Sequence, residues 1–182
     1  MKAYVVMEGL TNVQLITNLV PQDIRPQITV VPVGERANLS SVARTLLVIR
    51  RKPVAALVNA NTVDEKSVLE KRQETEGLLR AMSGGVPFKV FMLVPEIETL
   101  LFNAPEAIER ITGQQLSADN LALSRHNPRQ VILQLGQNKS DIIEQIVSGL
   151  TTEDLSLIRE SSPMRELIEF LSEKLAPQPQ TV

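Results

Sequence analysis

The sequence predicts an α/β fold with a mostly parallel sheet of four or more strands, helices on both faces of the sheet, and a helical annex after it. Three observations lead to this prediction. Strand-like apolar runs alternate with amphipathic helical patterns over roughly the first hundred residues. The run VAALV at 54–58 is apolar throughout, which is typical of a strand buried on both faces of a parallel sheet. Strand patterns then stop, so we expect an α/β domain at 1–102, a helical annex packed on it at 103–175 and a disordered tail at 176–182.

Each element is predicted from its own local pattern. Apolar runs bounded by Gly, Pro or Asn predict strands at 4–7, 28–31, 54–58 and 86–94. Helical spacing of apolar residues predicts helices at 11–20, 39–49 and 63–82, and a further helix opened by Pro95. Six short helices are predicted in the annex, at 105–112, 117–126, 128–135, 139–148, 152–160 and 163–175, with Thr152 and Ser162 as N-terminal caps.

The composition excludes several classes of protein. A chain of 182 residues with 43% hydrophobic content can bury a sizeable core in one main domain. Its net charge of -2 supplies no overall basic field to collect nucleic-acid phosphates. The lack of cysteine and the single histidine exclude disulfides, thiolate sites and multi-histidine zinc sites, so metal chemistry would need oxygen ligands. We find neither a signal-like segment nor an apolar stretch of membrane-spanning length, so we expect a cytoplasmic protein without membrane contact.

The stretch AYVVMEGLTN at 3–12 indicates a buried strand, a tight turn and a helix start. Glu8 would then lie at the C-terminal tip of the first strand, with Gly9 in the turn, where open α/β sheets bind their ligands. The second strand-to-helix turn carries Arg36, which we expect at the same edge of the sheet. Both charged residues also have ordinary explanations: Glu8 as a turn carboxylate stabilised by a helix dipole, and Arg36 as a surface cation.

Residues 1–102 resemble the TOPRIM domain, the α/β fold shared by topoisomerases, primases and OLD-type nucleases, and are most similar to its small single-domain bacterial relatives. The residues that carry the resemblance are Glu8-Gly9 with Thr11-Asn12 after them, and the turn that follows the apolar run at 54–58. In the family, the first-strand glutamate and an Asp-x-Asp motif bind magnesium. The resemblance therefore implies that Glu8, Asn59 and Asn61 occupy the metal site, with Asn-x-Asn in place of Asp-x-Asp.

This replacement predicts a weakened magnesium centre. Mg²⁺ is held through carboxylate oxygens and substrate phosphates, and two amides keep two carbonyl oxygens but remove two negative charges. Asp64, Glu96 and Glu98 are the acids that we expect to compensate. Glu96 is the best of these, because the resemblance extends to OLD-type nucleases, which carry further acids after the core motif. Asn59 and Asn61 are also common turn and cap residues, so a purely structural role is an alternative.

Three functions follow from these residues. The preferred one is a degenerate TOPRIM-like protein with a binding or assembly role, a partner that is nucleic acid or another protein, and magnesium bound weakly or not at all. The second is an active magnesium-dependent nuclease or phosphodiesterase in which Glu8 and Glu96 are catalytic, assisted by Asp64. The third is a module for a small phosphorylated ligand, held at the turns that contain Gly9 and Arg36.

Overall fold

The computed structural model of the chain describes residues 2–9, 12–34 and 39–176. Its centre is a four-stranded sheet in which every strand is parallel to its neighbours, in the order β2-β1-β3-β4. The strands are β1 (Ala3–Glu8), β2 (Ile28–Val33), β3 (Val54–Asn59) and β4 (Phe88–Leu93). The predicted α/β fold is confirmed, and each predicted strand is present.

Nine α-helices surround the sheet in the part of the chain that the structure describes. They are α1 (Val13–Leu19), α2 (Leu39–Thr45), α3 (Glu65–Met82), α4 (Pro105–Thr112), α5 (Ala118–Ser124), α6 (Pro128–Leu135), α7 (Ile142–Ser148), α8 (Thr152–Arg159) and α9 (Ser162–Leu175). Helix α2 continues as a π-helix, Leu46–Arg50, and 3₁₀ helices occupy Arg25–Gln27 and Ile97–Asn103.

The two faces of the sheet form separate hydrophobic clusters because successive strand side chains point to opposite faces. Val5 and Met7 of β1 belong to the larger cluster, together with buried residues of α1, the 3₁₀ helix Ile97–Asn103 and the C-terminal helices α4 and α6 to α9. Val6 belongs to the smaller cluster, with buried residues of α2 and α3. The annex helices therefore cover the same face of the sheet as α1, and share one apolar core with it.

The strand order places a topological switch between β1 and β3. The chain passes from β1 outward to β2 on one side, then returns to build β3 and β4 on the other side. The crossovers thus leave β1 and β3 in opposite directions, and a crevice opens outside their carboxyl ends. Glu8 and Asn59 are the last residues of these two strands. The predicted position of Glu8 at a strand tip is confirmed.

One predicted helix start is wrong. Pro95 does not open a helix; Glu96 after it is extended, with φ -153° and ψ 171°, and the helical turns begin at Ile97 with 3₁₀ geometry. The reason is a loop contact, because the Pro95 carbonyl accepts a hydrogen bond from the Asn61 backbone N–H at 2.7 Å. This contact ties the segment after β4 to the segment after β3.

The predicted caps in the annex are displaced by one residue. The cap of α8 is Thr151 rather than Thr152, and its hydroxyl accepts from the backbone N–H of Asp154 in a capping box. The residue before α9 is Ser161 rather than Ser162, and Pro163 lies in its first turn as predicted. Such single-residue shifts are expected where caps are assigned from sequence alone.

The apolar stripe predicted for α3 is largely exposed. Leu69, Leu78 and Met82 are 53%, 53% and 42% exposed, whereas Leu79 is fully buried. Ile49, predicted to face the core from the helix after β2, is 70% exposed. A helix on the surface of a sheet packs against it through a narrow stripe of residues. In α3, the buried residues are Thr75 and Leu79.

None of the helices in the described ranges is long and apolar enough to cross a membrane. Of the predicted tail at 176–182, only Ala176 is among the described residues. Arg36 also lies outside the described residues.

Candidate functional site

A polar cleft lies at the carboxyl ends of β1 and β3, at the topological switch point. Its volume is about 460 Å³. The residues that line it come from the first turn, the loops after β2, β3 and β4, and the start of α6: Glu8, Gly9, Asn12, Gly34, Asn59, Asn61, Glu96, Glu98 and Arg129. The structure therefore brings together five of the site residues predicted from the sequence, which are Glu8, Gly9, Asn59, Asn61 and Glu96.

Gly9 makes the turn out of β1. Its φ of +90° lies in the region that side chains disfavour, and its backbone N–H donates to the Val33 carbonyl of β2 at 3.0 Å. A Cβ at this position would lie 3.5 Å from the Asn12 amide nitrogen, an ordinary contact, so the backbone conformation rather than space requires glycine. Glu8, Gly9 and Asn12 all line the cleft.

Glu8 borders the cleft from the opposite face of the sheet. It is in register with Val33, a member of the smaller cluster, so its side chain belongs to the face covered by α2 and α3. It also lines a second pocket of about 240 Å³ on that face, together with Lys71 and Glu74. Asn59 follows Leu57 of the larger cluster at a spacing of two, so its side chain points to the other face.

Asn59 and Asn61 are held by the segment that follows β4. The Asn59 amide oxygen accepts a hydrogen bond from the Ile97 backbone N–H at 3.1 Å, which leaves the amide NH₂ without a partner among the described residues. Asn61 is left-handed, with φ 59°, a conformation that Asn tolerates, and its N–H donates to Pro95. Lys71 of α3 donates to the Asn59 carbonyl at 2.7 Å, and this contact fixes the end of β3.

Glu98 is the buried acid of the site. Its side chain is 2% exposed, and its Oε1 accepts from Arg129 Nη1 at 3.2 Å and from Asn12 Nδ2 at 3.3 Å. Asn12 lies before α1 and Arg129 in the first turn of α6, so this hydrogen-bonded triad joins the N-terminal turn of the sheet to the annex. A buried ion pair lowers the stability of a protein unless each charged group also has hydrogen-bond partners. The partners of the Glu98 carboxylate are therefore important for stability.

Glu96 lies between the cleft and α6. Its Oε1 accepts from the Arg129 backbone N–H at 3.1 Å, which satisfies one of the free N–H groups at the start of that helix. Burial raises the pKa of the Glu96 carboxyl above its ordinary value, and the nearby Glu98 carboxylate raises it further, against the lowering effect of Arg129. Two acids thus share one arginine at this end of the cleft.

Asn12 has an unsatisfied acceptor. The residue is 3% exposed, its Nδ2 donates to Glu98, and its Oδ1 is buried without a hydrogen-bond partner in the described part of the chain. Turning the amide over would place its oxygen against the Glu98 carboxylate, so the hydrogen-bond pattern fixes its orientation. Buried polar atoms are nearly always hydrogen-bonded, and an exception in a cleft indicates a position for a ligand or a water.

Asp64 has a structural role outside the cleft. The Asp64 carboxylate is the N-cap of α3 and accepts from the Ser67 N–H at 2.8 Å, and this hydrogen bond lowers its pKa. It does not line the cleft. Arg36 lies outside the described residues, so its predicted ligand contact stays a prediction.

The residues present do not form a conventional metal site. Within residues 2–9, 12–34 and 39–176, no three His, Cys, Asp or Glu side chains are grouped so that they could hold a metal ion. The acids of the cleft are also divided: Glu98 is paired with Arg129, and Glu8 belongs to the other face of the sheet. The donor set therefore fits Mg²⁺ poorly, since this ion needs several oxygen ligands in octahedral geometry.

Arg129 is the member of the site that the sequence did not suggest. It follows Asn127-Pro128, a pattern that predicts the start of a helix but not the location of that helix. Glu98 was predicted as an acid that compensates at the metal site, and Asn12 as part of the turn and helix start that carry the resemblance. A charged residue in the first turn of an annex helix is a weak signal, because only long-range packing brings α6 against the 3₁₀ helix Ile97–Asn103 that carries Glu98.

Comparison with models of protein families, with curated proteins and with solved structures found no match to this chain.

Proposed function

We propose that this protein is a non-catalytic binding protein, a degenerate TOPRIM-like scaffold that binds a small polar ligand in the cleft between β1 and β3. The observation that carries the proposal is the buried, unpartnered Oδ1 of Asn12 in a cleft at the topological switch point. Open parallel sheets bind ligands at such points because the diverging crossovers leave polar loop and strand ends accessible.

The chemistry of the lining supports binding rather than phosphodiester cleavage. Three amide side chains, Asn12, Asn59 and Asn61, offer directional donors and acceptors, but none of them is a general base or a strong metal ligand. A nuclease with metal-activated water would need acids converging on one ion. Glu96 would have to act without a second free carboxylate on its own side of the sheet.

Magnesium titration tests the proposal against the nuclease alternative. We expect the purified protein to cleave DNA or RNA with magnesium no faster than its Glu8→Gln variant, and thermal shift to detect little stabilisation by magnesium. The Asn59→Asp and Asn61→Asp double variant should bind divalent ions about tenfold or more tightly than the wild type, because two restored carboxylates attract the cation. Cleavage by the wild type that Glu8→Gln abolishes would overturn the proposal.

Ligand screening tests the binding role itself. Crystals of the protein soaked with neutral and charged small molecules should show density beside Asn12 rather than elsewhere on the surface. Failure of every such probe to bind in the cleft would contradict the proposal.

A further inference from the structure

Three residues that line the cleft each have an acceptor atom without a hydrogen-bond partner among the described residues. Asn12 Oδ1 is one. The others are the second carboxylate oxygens of Glu96 and Glu98, because every hydrogen bond recorded for these two side chains among the described residues ends on Oε1. All three residues line the same cleft.

These three acceptors are held in place by partners behind them. Glu98 is fixed by Arg129 Nη1 at 3.2 Å, and Asn12 is fixed by Glu98 at 3.3 Å. The Arg129 N–H fixes Glu96 at 3.1 Å. A rigid set of acceptors binds a matching ligand without a large ordering cost, so the arrangement is preorganised.

The charge of the cleft determines which ligand fits. Among the described residues, its ionisable lining residues are the acids Glu8, Glu96 and Glu98 and one cation, Arg129, whose guanidinium is already paired with Glu98. An anion such as phosphate would meet uncompensated carboxylates. A small cation that donates hydrogen bonds would relieve the repulsion between Glu96 and Glu98 and satisfy Asn12.

We propose that the cleft binds a small molecule through a protonated primary amine, which donates to Asn12 Oδ1 and to the free carboxylate oxygens of Glu96 and Glu98. An ammonium group has three N–H donors and no acceptor, which matches the three acceptors and the lack of an unpaired cation among the described lining residues. Charge-assisted hydrogen bonds of this kind are shorter and stronger than neutral ones. This inference rests on the proposed binding role and names the class of its ligand.

Calorimetric titration with putrescine and spermidine at physiological ionic strength tests the inference. We expect binding at one site per chain. Glu96→Gln should weaken this binding about tenfold or more, because it removes the charge and keeps the shape of the side chain. The matched control is Glu70→Gln on α3, which makes the same chemical change at an exposed i,i+4 pair with Lys66 and should alter binding by less than about twofold.

A second variant, Asn12→Leu, removes the buried acceptor and keeps the size of the side chain. It should also weaken amine binding about tenfold or more. If this variant does not fold, as judged by circular dichroism, Glu96→Gln decides the outcome. Equal loss of binding in Glu70→Gln and Glu96→Gln would show general attraction to an acidic protein and would overturn the inference.

Ribose as a neutral probe separates this inference from the proposed function. If ribose binds, Asn12→Leu abolishes that binding and the amines do not bind, the amine inference is wrong while the binding role stands. If neither the amines nor ribose bind in the cleft, the amine inference is wrong, and the ligand screen described for the proposed function decides the binding role.

Discussion

Two buried carboxylates in this protein each pair with a partly exposed arginine, yet their surroundings differ. Asp154, at the start of α8, accepts from Arg110 at 2.7 Å and from the Thr151 N–H at 2.8 Å. Glu98, beside the cleft, accepts from Arg129 and from Asn12, whose own oxygen has no partner in the described residues. Among the described residues, the hydrogen bonds to each carboxylate end on one of its two oxygens, so we call the second network open, and the first closed, only because of the buried Asn12 oxygen.

The difference shows how a structural ion pair can be told from a ligand site. The Asp154 network includes the capping box at the start of α8 and joins α4 to α8 through Arg110. We therefore expect it to affect only the stability of the protein. The Glu98 network joins Asn12 and the 3₁₀ helix Ile97–Asn103 to α6, but leaves a buried acceptor without a partner on Asn12, a residue that lines the cleft. A buried acceptor without a hydrogen-bond partner lowers the stability of the protein unless a ligand or a water binds to it. Proteins often retain such destabilising groups at functional sites.

The largest expected effect comes from removing the two arginines. Arg129→Met should lower the free energy of unfolding by about 3 kcal/mol, since it leaves a buried charge with one amide donor. Arg110→Met should cost less, about 1–2 kcal/mol, because Asp154 keeps its hydrogen bond from the Thr151 N–H. Urea denaturation of both variants measures the difference. Equal losses would mean that the two networks are equally complete.

The closed network also depends on its cap. Thr151→Ala removes the hydroxyl that accepts from the Asp154 N–H at 3.2 Å and should lower the free energy of unfolding by about 1 kcal/mol. Ser117→Ala, which breaks the capping box of the more exposed α5, is the matched control and should cost less. Thermal melts of the two variants, recorded side by side, test the ranking. A larger loss in Ser117→Ala would contradict the view that α8 is held by a buried network.

The two regions should respond to pH in opposite directions. Burial alone would raise the Asp154 pKa, but hydrogen bonds from Thr151 and Arg110 hold it below its ordinary value. The stability that Asp154 contributes is therefore present above about pH 4 and is lost as the pH falls through its lowered pKa. The Glu96 pKa is raised by burial and by Glu98, so its contribution is complete below its ordinary pKa and is lost as the pH rises through the raised one.

Unfolding free energies of three proteins across the acidic range measure this contrast. The advantage of the wild type over Asp154→Asn should shrink as the pH falls. The wild type should lose stability relative to Glu96→Gln as the pH rises towards neutrality. Parallel curves for the wild type and Glu96→Gln would mean that the Glu96 environment does not favour the protonated acid.

The smallest effect on stability is expected at Asn12. Asn12→Leu removes the donor to Glu98, which costs stability, and also removes a buried acceptor without a partner, which restores it. The two contributions oppose each other, so we expect a change of less than about 1 kcal/mol in the free energy of unfolding. Chemical denaturation tests this, with Asn103→Leu as a control at an amide bonded only to the nearby Leu100 carbonyl. A loss of several kcal/mol would place Asn12 with the structural residues instead.

The sequence determined the fold class and the elements of this protein. The all-apolar run of β3 and the helical spacing of the annex are local patterns, and the structure contains strands and helices at each of those places. The sequence also placed Glu8 at a strand tip. The pattern behind this prediction, a strand followed by a glycine and a helix start, is local and spans only about ten residues. Shifts of one residue at Thr151 and Ser161 are the usual limit of local reasoning.

Only the tertiary structure decided how the site is assembled. The sequence places Glu8 and Asn59 at strand ends, but their opposite faces depend on the register of β1 with its neighbours, since a shift of one residue reverses every side chain. Arg129 reaches Glu98 across 31 residues of sequence through the packing of α6 against the 3₁₀ helix Ile97–Asn103. Local propensity carries no information about such contacts, because their free energy arises from burial and pairing between segments that are distant in the chain.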